Sequence, residues 1–211
     1  MKNRRLNRMF LLAGILGSIV NSSVIIVLDF TVPGYNSIEQ YVSEFGIIPG
    51  VTSKIVTAWW IVSGIILMLF SLGLNNAMGK TGRFSFVGPL FICLYGLLDS
   101  IGSAVFPMDA AEATFSGTMH TLVSFVGITA VIFSPLALVN RMKKDPAWNG
   151  LVRCAWITQV FFWVIYVVCI LAFAGICFSR YAGLLQRLFI FAVDIWIVVL
   201  GFNALKRRNT L

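Results

Sequence analysis

Four ionisable residues, Asp99, His120, Arg187 and Asp194, fall inside long apolar stretches of this chain. A charged group in hydrocarbon costs roughly 2.5–3.5 kcal/mol on insertion scales, so each one needs a partner or a purpose. Asp99 beside His120 would make an acid–base pair. Arg187 beside Asp99 or Asp194 would either hold an anionic group or lock helices in register. His120 is the only histidine, so one chain can build neither a three-histidine zinc site nor two-histidine haem ligation. GxSxG, Walker A and GxGxxG are missing from the sequence, which removes the common nucleophile-elbow and phosphate-loop chemistries. No metal and no cofactor is expected, although Asp, His and Glu together leave room for a single divalent ion.

The elements that position these residues are membrane helices. Of 211 residues, 59% are hydrophobic and 11% charged, against about 25% charged in an ordinary soluble domain. Crossing roughly 30 Å of hydrocarbon takes about 20 apolar residues. Six windows qualify, at about 9–30, 53–74, 84–106, 116–139, 154–177 and 184–205. The expected fold is therefore all-α, a polytopic six-helix membrane bundle forming a single domain over residues 1–211. The N-terminal apolar run continues to Phe30 with no small-x-small cleavage site, so it is read as an uncleaved first span. The four cysteines lack CxxC spacing and read as small apolar packing residues.

The net charge of +8 does not indicate nucleic acid, because the basic residues lie in short clusters between spans. Lys2, Arg4, Arg5, Arg8, Lys80, Arg83, Arg141, Lys143, Lys144, Arg153, Lys206, Arg207 and Arg208 flank one side, thirteen in all; only Lys54, Arg180 and Arg187 belong to the other. The positive-inside rule then puts both termini in the cytoplasm and makes this a multi-pass protein of the cytoplasmic membrane. The bilayer is its first partner. The chain reads as three hairpins closed on the outside, with no soluble domain, so any chemistry belongs to the bundle or the outer loops.

At 1.5 Å rise per residue, Asp99 lies about 10 Å below the outer end of its span, His120 about 6 Å and Arg187 about 5 Å. Asp194 lies near the midplane, on the same helical face as Arg187. These groups can meet in one outward-opening polar pocket with Glu44 and Asp109 at its mouth. In the first outer loop, Ser37 and Gln40 have capping-box spacing. Ile38, Tyr41, Val42 and Phe45 follow at i, i+3, i+4 and i+7, one helical face. A short amphipathic helix is expected there, as an interfacial segment or a lid. Asn21, in mid-span, reads as an interhelical hydrogen-bonding residue.

YVSEFG after the first span, FPMD after the third, His120 early in the fourth and GLLQR opening the sixth carry a resemblance over nearly the whole chain. Their order and topology resemble the bacterial six-span membrane proteins of the "domain of unknown function 998" family. The matching positions are Ser43, Glu44, Asp109, His120, Gln186 and Arg187. The resemblance implies the fold and places polar motifs on the outer side. It brings no established activity.

Three readings remain open. One is a protein that binds or transports a small polar or amphiphilic molecule through an outward-facing pocket of Glu44, Asp99, Asp109, His120, Gln186, Arg187 and Asp194, with a homodimer allowed by the short chain. The second is an intramembrane enzyme acting on a lipid or lipid-linked substrate, with His120 and Asp99 catalytic. The third is a structural partner whose charges only pack helices.

Overall fold

The computed structural model describes residues 2–79, 83–108 and 114–208. Among the described residues, all regular structure is helical, and six segments are long and apolar enough to cross a membrane: Arg4–Thr31, Val51–Ala77, Val87–Val105, Phe115–Lys143, Asn149–Phe173 and Ser179–Lys206. They coincide with the six windows expected from hydropathy. The α-helices are α1 (Lys2–Thr31), α2 (Val51–Ala77), α3 (Val87–Leu94), α4 (Gly102–Val105), α5 (Phe115–Ile132), α6 (Ser134–Lys143), α7 (Val152–Phe173) and α8 (Ala182–Arg208). Large apolar side chains face outward along the spans, including Leu16, Ile19, Val160, Val164 and Ile195. A surface of that kind is stable only where hydrocarbon is the solvent.

α1 packs between α2 and α8, and the third span packs between α2 and α5. The main core is built from Phe70, Leu74, Phe162, Trp196 and Ile197, with a smaller cluster of Ile25, Val42, Phe45 and Val56 under the first loop. Small residues bring the helices together. A Cβ on Gly64 would lie 2.5 Å from the Gly96 carbonyl oxygen, and one on Gly127 would lie 2.7 Å from the Asp99 backbone nitrogen. The α2 and α5 backbones therefore rest directly on the third span.

Two spans are interrupted. Between α3 and α4, residues Tyr95–Ile101 form a π-helix, a widened turn that often accompanies functional positions. Asp99 lies within it. The fourth span breaks between α5 and α6, where Pro135 occupies the first turn of α6. Pro lacks an N–H and cannot continue the ladder. Gln159 from α7 repairs the break, donating to the Ile132 carbonyl (2.9 Å) and accepting from the Leu136 N–H (2.8 Å).

The two ends differ. The long-loop end carries residues 32–50, and the opposite end carries most of the basic residues. At that basic end Arg141 is buried and donates to the carbonyls of Asn75, Gly79 and Ser85, closing the C-terminus of α2.

The long loop departs from the expected helix. Residues 36–40 form a turn, because the Asn36 side chain accepts from the Ile38 N–H (3.1 Å) while its own N–H donates to the Gln40 side chain (2.7 Å). Helix follows only as a 3-10 segment, Val42–Ile47. Its cap is Glu44, whose carboxylate accepts from the Tyr41 N–H at 2.7 Å. The anticipated apolar face is half realised: Val42 and Phe45 are buried, whereas Ile38 stays 47% exposed.

Gly64→Leu should lower stability by at least about 1–3 kcal/mol through overpacking against backbone. Leu72→Ala, on the exposed surface, should change it by less than about 0.5 kcal/mol. Thermal unfolding of the purified variants measures the difference.

Candidate functional site

Asp99 and His120 line one polar cavity of about 60 Å³. Its walls include Tyr95 and Ser103 from the third span, Ser124 from α5 and Asn21 from α1. The residues repeat at helical spacing: Tyr95, Asp99 and Ser103 on one element, His120 and Ser124 on the next. The hydroxyls of Tyr95 and Ser124 approach the Asp99 carboxyl, and Ser103 and Ser124 share a hydrogen bond of 3.0 Å. His120 is 8% exposed, and its Nδ1 lies 2.8 Å from the Phe106 carbonyl oxygen. A carbonyl only accepts, so the neutral ring carries its proton on Nδ1 and its lone pair on Nε2.

A second cavity of about 340 Å³ adjoins the first, between α5, α7 and α8. Ile128, Cys169, Ala172 and Phe189 make it apolar. Ser43, His120, Ser124 and Gln186 line both cavities. On its outer side Phe125, Ile170 and Phe173 line the cavity and are also exposed. The apolar chamber thus faces the surface that hydrocarbon would cover.

Arg187 lies elsewhere, and the expected pairing with Asp99 or Asp194 is corrected. Its partner is Asp29, near the end of α1. Nε lies 2.9 Å from Asp29 Oδ2, and one terminal nitrogen lies 2.6 Å from Oδ1. The remaining donors reach the Tyr35 hydroxyl (2.8 Å), the Gln40 carbonyl (2.8 Å) and the Gly183 carbonyl (2.9 Å). All five N–H groups of the guanidinium are thereby used. Tyr35 in turn donates toward the carbonyl of Tyr41 at 2.6 Å and stacks on Phe45 at 4.1 Å. The cation also lies 5.3 Å from the centre of the Tyr35 ring. Sequence depth found Arg187, but a nearer carboxylate at the end of a different span took it.

The remaining expected residues separate in the same way. Asp194 accepts from Asn21 (3.0 Å) and Ser22 (2.7 Å), and Asn21 accepts from Trp59 (3.0 Å), so this group ties α8 to α1 and α2. It lines neither cavity. Glu44 is turned back into its own segment, accepting from Tyr41 and from the Gln40 side chain (2.9 Å), and is not at the cavity mouth. Gln186 lines both cavities while its Oε1 accepts from the Val42 N–H at 2.6 Å. Asp109 lies outside the described residues. Among the described residues, no group of three or more His, Cys, Asp and Glu is placed to hold a metal. Sequence reading missed Asp29 and Tyr35 as partners of Arg187. It also missed the Tyr95–Asp99–Ser103 stripe, whose signal was the i, i+4, i+8 recurrence of polar atoms on an otherwise apolar span.

Fold and site together define a six-span helical membrane protein with a polar chamber that shares four wall residues with an apolar one. Residues 15–203 match the family described as "Protein of unknown function (DUF998)", and the chain belongs to that family. No curated protein and no solved structure matches it.

Burial pushes the Tyr35 phenol up to about 12, against the opposing pull of Arg187. The folded protein therefore favours the neutral phenol more than the unfolded chain does. Its contribution is complete below pH 10 and is lost as the pH rises toward about 12. Thermal stability of the wild type should fall across that window, and Tyr35→Phe should lack that component of the fall. Asp29→Asn leaves the buried Arg187 cation uncompensated and should cost about 3–5 kcal/mol. Limited proteolysis should then cut within residues 32–50 and should spare them in the wild type.

Proposed function

We propose that the protein is a binding or transport protein of the bacterial cytoplasmic membrane that takes a small polar or amphiphilic molecule into the paired chambers. One observation carries the reading: Ser43, His120, Ser124 and Gln186 are walls of both a polar and an apolar cavity. A molecule with a polar and an apolar end has matching surroundings there without leaving any polar group in hydrocarbon. The larger cavity, about 340 Å³, falls at the lower end of the 300–1,000 Å³ common for small-molecule sites.

The basic asymmetry supports an extracytoplasmic position for the long-loop end. Cys177 lies at that end and is partly exposed. A membrane-impermeant maleimide should label it in intact cells and should not label Cys177→Ser. A cysteine at Arg83, introduced into the Cys177→Ser chain, should react only after permeabilisation. The reverse pattern refutes the orientation.

Thr121 is exposed and lines the apolar cavity, so Thr121→Trp should obstruct the chamber without disturbing the core. Native mass spectrometry of protein released from its own membrane should show a small bound molecule in the wild type and its loss in Thr121→Trp. Retention by both proteins at equal occupancy contradicts the reading. Recovery of a cleaved form only from the wild type turns it into the intramembrane-enzyme alternative, with Asp99 and His120 as the reacting groups.

A further inference from the structure

We infer that the molecule held in these chambers is a single-chain amphiphile whose small head group is a protonated amine, seated against Asp99. This rests on the proposed binding function and names the chemical class of its ligand.

The first ground is charge. Among the described residues, no Lys or Arg lines either chamber. Arg187, which could have held an anionic group, spends every donor on Asp29, Tyr35 and two carbonyls. The other two cations at this end, Lys54 and Arg180, are exposed, and Arg180 is paired with Glu39 at 3.2 Å. Asp99 is left facing the chamber among hydroxyls. A phosphate or carboxylate head would meet the Asp99 carboxyl and find no Lys or Arg to receive it. An ammonium would find a carboxylate and hydroxyl acceptors.

The second ground is size. Each water takes on the order of 10–15 Å³ of such volume, so the polar chamber, at about 60 Å³, has room for a head of a few heavy atoms. That fits an amine or a short amino alcohol and not a sugar or a phosphodiester. The apolar chamber is also small for two acyl chains.

The third ground is the solvent. A tail moving from bilayer to the apolar chamber leaves one hydrocarbon environment for another and gains little. The tail chamber therefore selects shape, and the head must supply the affinity. The π-helix and Gly127 hold Asp99 at a helix contact with no space for its backbone to retreat. The Asp99 carboxyl, approached by the Tyr95 and Ser124 hydroxyls, is thus in place before the head arrives.

The test uses the full chain in nanodiscs of zwitterionic lipid and four probes of one chain length: dodecylamine, dodecanol, dodecanoate and dodecyl phosphate. Each is titrated by mole fraction in the bilayer, with thermal stability as the readout. The inference expects a saturable rise in Tm with the amine, at roughly tenfold to a hundredfold lower concentration than with the alcohol, and none with the two anions. Asp99→Asn should reduce the amine to the level of the alcohol, while Glu39→Gln, an exposed acid at the same end, should leave the preference intact. The wild-type ranking decides the matter if Asp99→Asn does not fold. An anion that binds as tightly as the amine overturns the head-group assignment and leaves the chambers as a binding site. No saturable shift from any probe overturns both.

Discussion

The long-loop end of this bundle depends on one buried cation. Arg187 is 4% exposed, and an unpaired guanidinium at that depth is untenable. Its five donors therefore dictate where α1, the first loop and the start of α8 must lie. Asp29 supplies the charge, Tyr35 and the Gln40 carbonyl bring the loop, and Gly183 allows the contact, because a Cβ there would run into the Gln40 carbonyl. Once the loop is fixed, Val42 and Ser43 become the roof of the polar chamber, and the Val42 N–H holds the side chain of Gln186 in its wall. The same interaction that satisfies a charge thus shapes the candidate site without taking part in it.

The division of labour among polar groups follows from the low dielectric of the surroundings. Asp194 is surrounded by donors from α1 and acts as a fastening between helices. Gln159 mends a broken helix, and Arg141 closes the end of another. Asp99 and His120 differ in facing enclosed space, on elements whose backbones are pressed together by Gly64, Gly96 and Gly127. Ionisable groups within a span that line a cavity are where a membrane protein meets a ligand.

Much of this was legible in the sequence. The six spans followed from runs of apolar residues, because hydrocarbon thickness is a fixed ruler. Asp99 and His120 were placed at neighbouring depths by counting residues, and the structure brings them to one cavity. Lateral neighbours were not legible. Depth says how far Arg187 lies from an interface, whereas its partner is set by which helix stands beside α8, and α1 does. Asp29, at the end of α1, is not singled out by depth for that reason. The helix expected from Ser37 began instead at Val42, because Asn36 and Gln40 close a turn first and Glu44 caps the later segment. The π-turn at Asp99, packed against α2 and α5, leaves no signature in composition.

On the proposed function, the chambers at Asp99 and His120 receive a ligand while Arg187 stays committed to Asp29. A cryo-EM map of the protein in nanodiscs of its own lipids tests both halves at once. The expected result is elongated density running from the apolar chamber to Asp99, with the Arg187–Asp29 pair intact. Density held by Arg187 with Asp29 displaced, or chambers collapsed and empty in lipid, would contradict it.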